Sequence, residues 1–344
     1  MFQLKHLNIF KASLLISSSA VLYFIPETTL LFAQGYDDAF EIKNKLKIEL
    51  QYADYGEYEY PEPILFRYGE REYQQNYPFI VNFPEKRGLI KFSHLLGEVT
   101  SASVKYQFSN ITENTDQHLL EAKLIRSLNE NITGLAAFQF INDSRKFNAY
   151  QFGTGVLWDP SVITSVQGDI QYYFRGKNSE VVGGKLGMFN LRSKFRQVLT
   201  LSTAAQIEYD IYITNGDNLN FTSHMVAVWL SQFLPTETAV HLNLRYYTNT
   251  IGINSLSPSI ELAQYIDWAT VLHIKYRYYK NQSENVSLGE QNIIVPDGLK
   301  THAFSMQIDH EFSTAVLLYS KYRYYNTNMN IQMNTYMLGF VYSF

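Results

Sequence analysis

The sequence predicts an all-β protein, a transmembrane, antiparallel, up-and-down β-barrel of about sixteen strands, within a range of about 14–18. Three observations carry the prediction. Apolar and polar residues alternate over long runs, short and long polar links take turns between those runs, and the composition is rich in tyrosine and poor in charge.

The alternation begins at Lys45, where Leu46, Ile48, Leu50 and Tyr52 interleave with Lys47, Glu49 and Gln51. The same two-residue period recurs as Ala102, Val104, Tyr106 and Phe108 against Ser103, Lys105 and Gln107. It recurs again from Leu201 to Ile211 and from Leu272 to Tyr278. A period of two places successive side chains on opposite faces of a strand. Runs of about ten residues exceed soluble strands and match the span of a tilted membrane-crossing strand. A soluble β-sandwich would alternate too, but over shorter strands packed on a second sheet.

Short links are expected at 96–98, 129–131, 159–160, 234–236, 266–267 and 312–313. Longer, more polar ones are expected at 56–87, 175–180, 213–218, 249–257, 281–299 and 326–332. Such a barrel has tight turns at one rim and longer loops at the other, and an even strand count puts both termini at the short-turn rim. Alternation is weakest near 181–193 and 255–266, and these two segments set the 14–18 range of the count. The 56–87 segment carries Tyr58, Tyr60, Tyr68, Tyr73 and Tyr77 with four prolines, a composition suited to recognition or to narrowing an interior.

Composition bounds the class further. Of 344 residues, 17% are charged, against about 25% in soluble domains. Aromatics reach 15% through 27 Tyr and 23 Phe, residues suited to an apolar–water boundary. A net charge of −4 gives no basic stripe for nucleic acid, and the absence of cysteine excludes disulfides and thiolate metal sites. Residues 1–34 read as a signal peptide, with Lys5, His6 and Lys11 before an apolar stretch from Ala12 to Phe24. Pro26 and Glu27 end that stretch short of the ~20 residues that a spanning helix needs. The barrel is then assigned to 35–344.

The chain ends Tyr336-Met337-Leu338-Gly339-Phe340-Val341-Tyr342-Ser343-Phe344. A terminal aromatic with aromatics two and four positions before it resembles the last strand of Gram-negative outer-membrane barrels, the porin-like superfamily. The resemblance covers 45–344 and no narrower family. It implies a place in the outer membrane among its lipids, and it implies that Phe340, Tyr342 and Phe344 form the signal read by the barrel-assembly machinery.

If the apolar face meets lipid, the other lines the interior. Leu244-Arg245-Tyr246-Tyr247, Tyr276-Arg277-Tyr278-Tyr279 and Tyr322-Arg323-Tyr324-Tyr325 repeat one motif, which points Arg245, Arg277 and Arg323 inward at similar heights. Lys275 and Lys321 join them, and Glu208, Asp210, Glu261, Asp309 and Glu311 face inward elsewhere. Two readings stand side by side: opposed rows of charge across an aqueous interior, or a wall of salt bridges.

No catalytic, cofactor or metal site is expected. Ser223 and His224 are neighbours and so point to opposite faces, while His241–Asn243 and Asp309–His310 lie near short turns. The sequence offers no helical metal motif and no phosphate-cradling glycine loop. The expected function is a non-enzymatic channel for small polar or anionic solutes. The alternatives are an export or scaffold barrel housing a polysaccharide or protein partner, and a surface adhesin.

Overall fold

The computed structural model describes residues 40, 42–55, 85–112, 115–143, 147–176, 186–216, 220–283, 298–328 and 332–344. Sixteen antiparallel strands form one sheet that closes on itself. In chain order they are β1 Lys45–Tyr55, β2 Glu85–Gly97, β3 Thr100–Thr112, β4 Thr115–Asn129, β5 Ile132–Asp143, β6 Phe147–Ser161, β7 Thr164–Arg175 and β8 Leu186–Thr200. The second half comprises β9 Thr203–Gly216, β10 Asn220–Leu234, β11 Thr238–Asn249, β12 Ile253–Tyr265, β13 Thr270–Ser283, β14 Lys300–Ser313, β15 Val316–Thr327 and β16 Gln332–Ser343. Each strand pairs with its sequence neighbours, and β1 pairs with β16 from Lys45↔Ser343 to Tyr55↔Met333. Closure leaves no unpaired edge, the requirement for a sheet placed in hydrocarbon.

The alternation in sequence becomes two faces in space. Leu50 and Leu338 are 61% and 62% exposed, whereas Ala53 on the other face is 1% exposed. Exposed leucines, isoleucines, valines and aromatics recur on every strand but β5, an apolar exterior far larger than a soluble monomer presents. The fold is therefore stabilised by interstrand hydrogen bonds and cross-strand pairs rather than by one central core. Buried apolar clusters are small, such as Leu119, Ile141, Ala149 and Tyr173.

The start of β1 and the end of β16 stand at the rim with short turns. Leu95 N donates to Asn44 Oδ1 at 2.8 Å, and Phe344 N donates to the Asn44 carbonyl at 3.3 Å. Phe40, just ahead of β1, is seated inside against Leu135 of β5 and Leu157 of β6.

Several links differ from the sequence expectation. Strand β6 runs through Asp159 and Pro160 to Ser161, with a register shift between Trp158 and Ser161. Proline has no N–H to give the ladder, so it sits at a break in pairing rather than in the turn. Leu201, expected to open a strand, stands in the turn after β8 and is fully exposed. The 249–257 link shrinks to 250–252, because β12 begins at Ile253. Most of the 56–87 segment, including its five tyrosines from Tyr58 to Tyr77, and residues 1–34, expected to be a signal peptide, lie outside the described residues.

Candidate functional site

The inner wall carries the chain's concentrated polar chemistry, and strand parity decides which residues reach it. On β8, Arg192 points inward and stands 2.9 Å from Asp210 and 3.3 Å from Glu208 on β9. Asp210 is fully buried and also accepts from Tyr212 Oη at 3.3 Å. Across β12–β14, Glu261 meets Lys275 at 3.3 Å and His273 at 3.4 Å, and His273 reaches Asp309 at 3.2 Å. Gln307 donates to Asp309 at 2.8 Å. Glu208, Asp210, Glu261 and Asp309 are thus engaged by bases on adjacent strands, so acid and base interleave around the wall. Glu311 is half-buried on β14, level with Leu317 of β15.

The three motif arginines occupy neighbouring strands in a stagger. Arg245 pairs in register with Ser257, Arg277 with Ser259, and Arg323 with Ser305, two residues below the Arg277↔Ala303 pair. Lys275 is level with Ser305, and Lys321 with Gln307. Their wall neighbours are small: Ala227 and Ser257 flank Arg245, and Ser259 and Ala303 flank Arg277. The β12–β13 ladder skips Ser257 and Pro258, and Ser257 Oγ accepts from Arg277 Nε at 2.7 Å.

Small side chains beside large cations leave a recess of about 130 Å³, to which Asn243, Arg245, Ser259, Lys275 and Arg277 contribute. Trp229 and His241 close one side, their rings stacked at 5.0 Å and 10°. His241 Nδ1 lies 2.8 Å from Ser231 Oγ, Ser223 bonds the Tyr247 hydroxyl at 2.8 Å, and His224 is on the outer face with Tyr209.

A second basic region lies on β1–β3, outside the residues singled out in the sequence. Lys47 pairs with Lys91 and Lys91 with Lys105, three lysines in one row across adjacent strands. The row ends on Glu121, 2.9 Å from Lys105 Nζ, and Glu49 holds Lys47 at 3.0 Å. Each lysine has the inward parity in its own strand, but the row exists only through register. Arg192 and Trp229 were likewise missed, because Leu191–Arg196 carries charge on a weakly alternating strand and Val226–Leu230 is apolar on both faces.

On the other face, Phe340, Tyr342 and Phe344 point outward, and Phe344 stacks on Tyr342 at 5.6 Å and on Phe92 at 6.0 Å. No protein-family model matches the chain, and no curated protein matches it in sequence. Solved structures do resemble it. A bacterial polysaccharide outer membrane secretin aligns with a TM-score of 0.60 and 8% identity, over 88% of this chain and 100% of that one. Pseudomonas aeruginosa OprD aligns at 0.51 and 9% identity, over 88% and 94% of the two chains. Pseudomonas aeruginosa OpdK with vanillate aligns at 0.50 and 8% identity, over 88% and 98%. At this identity the likeness is one of fold, a β-barrel.

Proposed function

We propose that this protein is an outer-membrane channel through which small polar or anionic solutes diffuse, and that it performs no covalent chemistry. The observation that carries the reading is a closed sixteen-strand wall, apolar outside and charged inside. Sixteen strands enclose a water-filled interior, whereas about eight are filled by their own side chains. Selectivity would come from Coulomb attraction to inward cations: the lysine row of β1–β3 and Arg245, Lys275, Arg277, Lys321 and Arg323. The interleaved acids, Glu208, Asp210, Glu261, Asp309 and Glu311, would position those cations and temper the field. Residues 1–34 would serve as the cleaved export signal, and Phe340, Tyr342 and Phe344 as the signal to the barrel-assembly machinery.

Planar-bilayer recording tests this. Discrete conductance steps with a reversal potential favouring anions are expected, and Arg245→Glu, Arg277→Glu and Arg323→Glu together should reduce that preference. A barrel without conductance would sink the channel reading.

One observation favours a second reading, export of a polysaccharide: the 0.60 match to the polysaccharide secretin spans that whole chain. Slow, charge-dependent block of the current by anionic oligosaccharides would support it. Passage of small anions with no oligosaccharide block would reject it.

A further inference from the structure

The outer face repeats one device on five hairpins. A tyrosine hydroxyl reaches diagonally to a polar side chain on the next strand, toward the long-link rim. Tyr106 reaches His118 Nδ1 at 2.7 Å, Tyr209 reaches His224 Nδ1 at 2.9 Å, and Tyr276 reaches His302 Nδ1 at 2.7 Å. Tyr246 and Tyr322 donate to Asn254 and Asn334 at 3.3 and 2.8 Å. Leucine, isoleucine, valine and aromatic side chains dominate the exterior below this level, and on these hairpins the outward pair nearest the link is polar, so the ring of hydroxyls marks where hydrocarbon gives way to headgroups.

The outward pairs nearest the link are neutral or self-satisfied on four other hairpins: Asn110↔Asp116, Asn142↔Asn148, Asn215↔Asn220 and Asn326↔Gln332. On β13–β14 the corresponding pair is Lys280↔Lys300, one step above Tyr278↔His302. Both lysines are exposed, and neither has an ion-pair partner among the described residues. Like charges directly opposite on adjacent strands repel, with Cβ atoms only about 5 Å apart. An anion held between the two ammonium groups reverses the sign of that interaction. Directly beneath lie Tyr276, Tyr278 and Phe304, and the Tyr278 ring stands 5.2 Å from the His302 ring. The patch therefore joins a doubly cationic head to an aromatic, apolar body.

We propose that Lys280 and Lys300 hold the phosphate headgroup of a membrane lipid, whose acyl chains lie along the aromatic belt below. The inference rests on the barrel's standing in a bilayer but not on what crosses it. The chemistry is a phosphate monoester presented at the interface, where ammonium groups supply both charge and hydrogen-bond donors.

The test uses the full mature barrel folded into phosphatidylcholine vesicles that carry trace spin-labelled phosphatidic acid or spin-labelled phosphatidylcholine. The motionally restricted fraction of each probe gives its preference for the protein surface. Phosphatidic acid should be preferred. Lys280→Gln and Lys300→Gln should each lower that preference about fivefold, the worth of one basic residue at an anionic surface. Lys86→Gln, an outward lysine that faces Asn110, should leave it unchanged. Equal restriction of the two probes overturns the proposal, as does a preference that survives the double Lys280→Gln/Lys300→Gln variant. An equal loss in Lys86→Gln also overturns it, by showing diffuse attraction instead of a site. Displacement of the lipid by inorganic phosphate at constant ionic strength would reassign the pair to the free ion and overturn the lipid reading. Conductance recorded from the same barrels keeps this outcome separate from the channel reading, since both lysines face away from the interior.

Discussion

The ring of Tyr319 lies directly over Gly339, so that a β-carbon built on the glycine would collide with the tyrosine's Cζ, Cε1 and Oη. The Tyr319 hydroxyl donates to Glu49 Oε2, and Lys47 Nζ stands over the ring at 5.3 Å from its centroid. One side chain thereby links β15, β16 and β1 across the seam where the first and last strands meet. Gly339→Ala forces the ring off its seat, an overpacking that typically costs about 1–3 kcal/mol. Tyr319→Phe keeps the ring and loses only the hydrogen bond, at about 1 kcal/mol or slightly more because the acceptor is charged. Urea unfolding followed by heat-dependent gel migration should rank Gly339→Ala below Tyr319→Phe, and Tyr319→Phe below wild type. Equal stability of all three would remove the seam contact from the account.

The fold was readable because each strand writes its own two faces. Leu46, Ile48 and Leu50 announce an outer face whatever lies beside them, and most turns carry their own Gly, Pro or Asn. The turn at 201–202 is Leu-Ser, with no such residue, so the run from Leu201 merged with the strand that follows. Pro258 hid the start of β12, because a proline inside a strand argues against pairing unless one ladder can break around it. Inward parity of Arg245 or Glu261 was likewise available strand by strand. That Glu261 meets Lys275 and His273, or that three lysines line up across β1–β3, depends on register between strands. Register is set by hairpin geometry and not by either strand alone.

The Arg192–Asp210 pair should behave as a buried ion pair, because Asp210 has no exposure and Arg192 little. Arg192→Met leaves the carboxylate without its cation, a change that costs about 3–5 kcal/mol in buried pairs. Removing both charges as Arg192→Met/Asp210→Leu should recover most of that loss. Glu208 keeps Lys194 opposite it in register, so the double variant strands no further acid. The check is a double-mutant cycle on unfolding free energy. Additive losses would mean that the two groups do not act as a pair.

The turn after β12 supplies a pH dependence outside the membrane-crossing strands. Asp267 accepts the Ala269 N–H at 2.7 Å and the Thr270 hydroxyl at 3.1 Å. The Ala269 hydrogen bond is the main reason that its carboxyl titrates below the ordinary aspartate range, with Thr270 and His310 adding to it. A group whose folded pKa is depressed contributes stability above its unfolded value of about 3.9, and that contribution fades as pH falls through the folded pKa. Asp267→Asn should therefore unfold faster than wild type at neutral pH, with the gap narrowing under acid. A gap independent of pH would assign the effect to shape rather than to charge.

Phe40 offers a test of what limits passage through the interior. Its ring packs on Leu135 and Leu157, and a β-carbon on Gly155 would come within 3.2 Å of its Cζ, so the glycine leaves the notch that it fills. Asn44, four residues on, is held at β2 by Leu95. The connection from β2 to a residue seated on β5 and β6 has to cross part of the short-turn mouth. Phe40→Ala removes the anchor at the far end of that crossing while leaving every strand pair intact. Single-channel conductance in planar bilayers should rise, or gain brief steps to a larger open level as the segment swings aside. Wild-type conductance combined with lower thermal stability would show instead that Phe40 only braces β5 and β6, and that the constriction lies elsewhere.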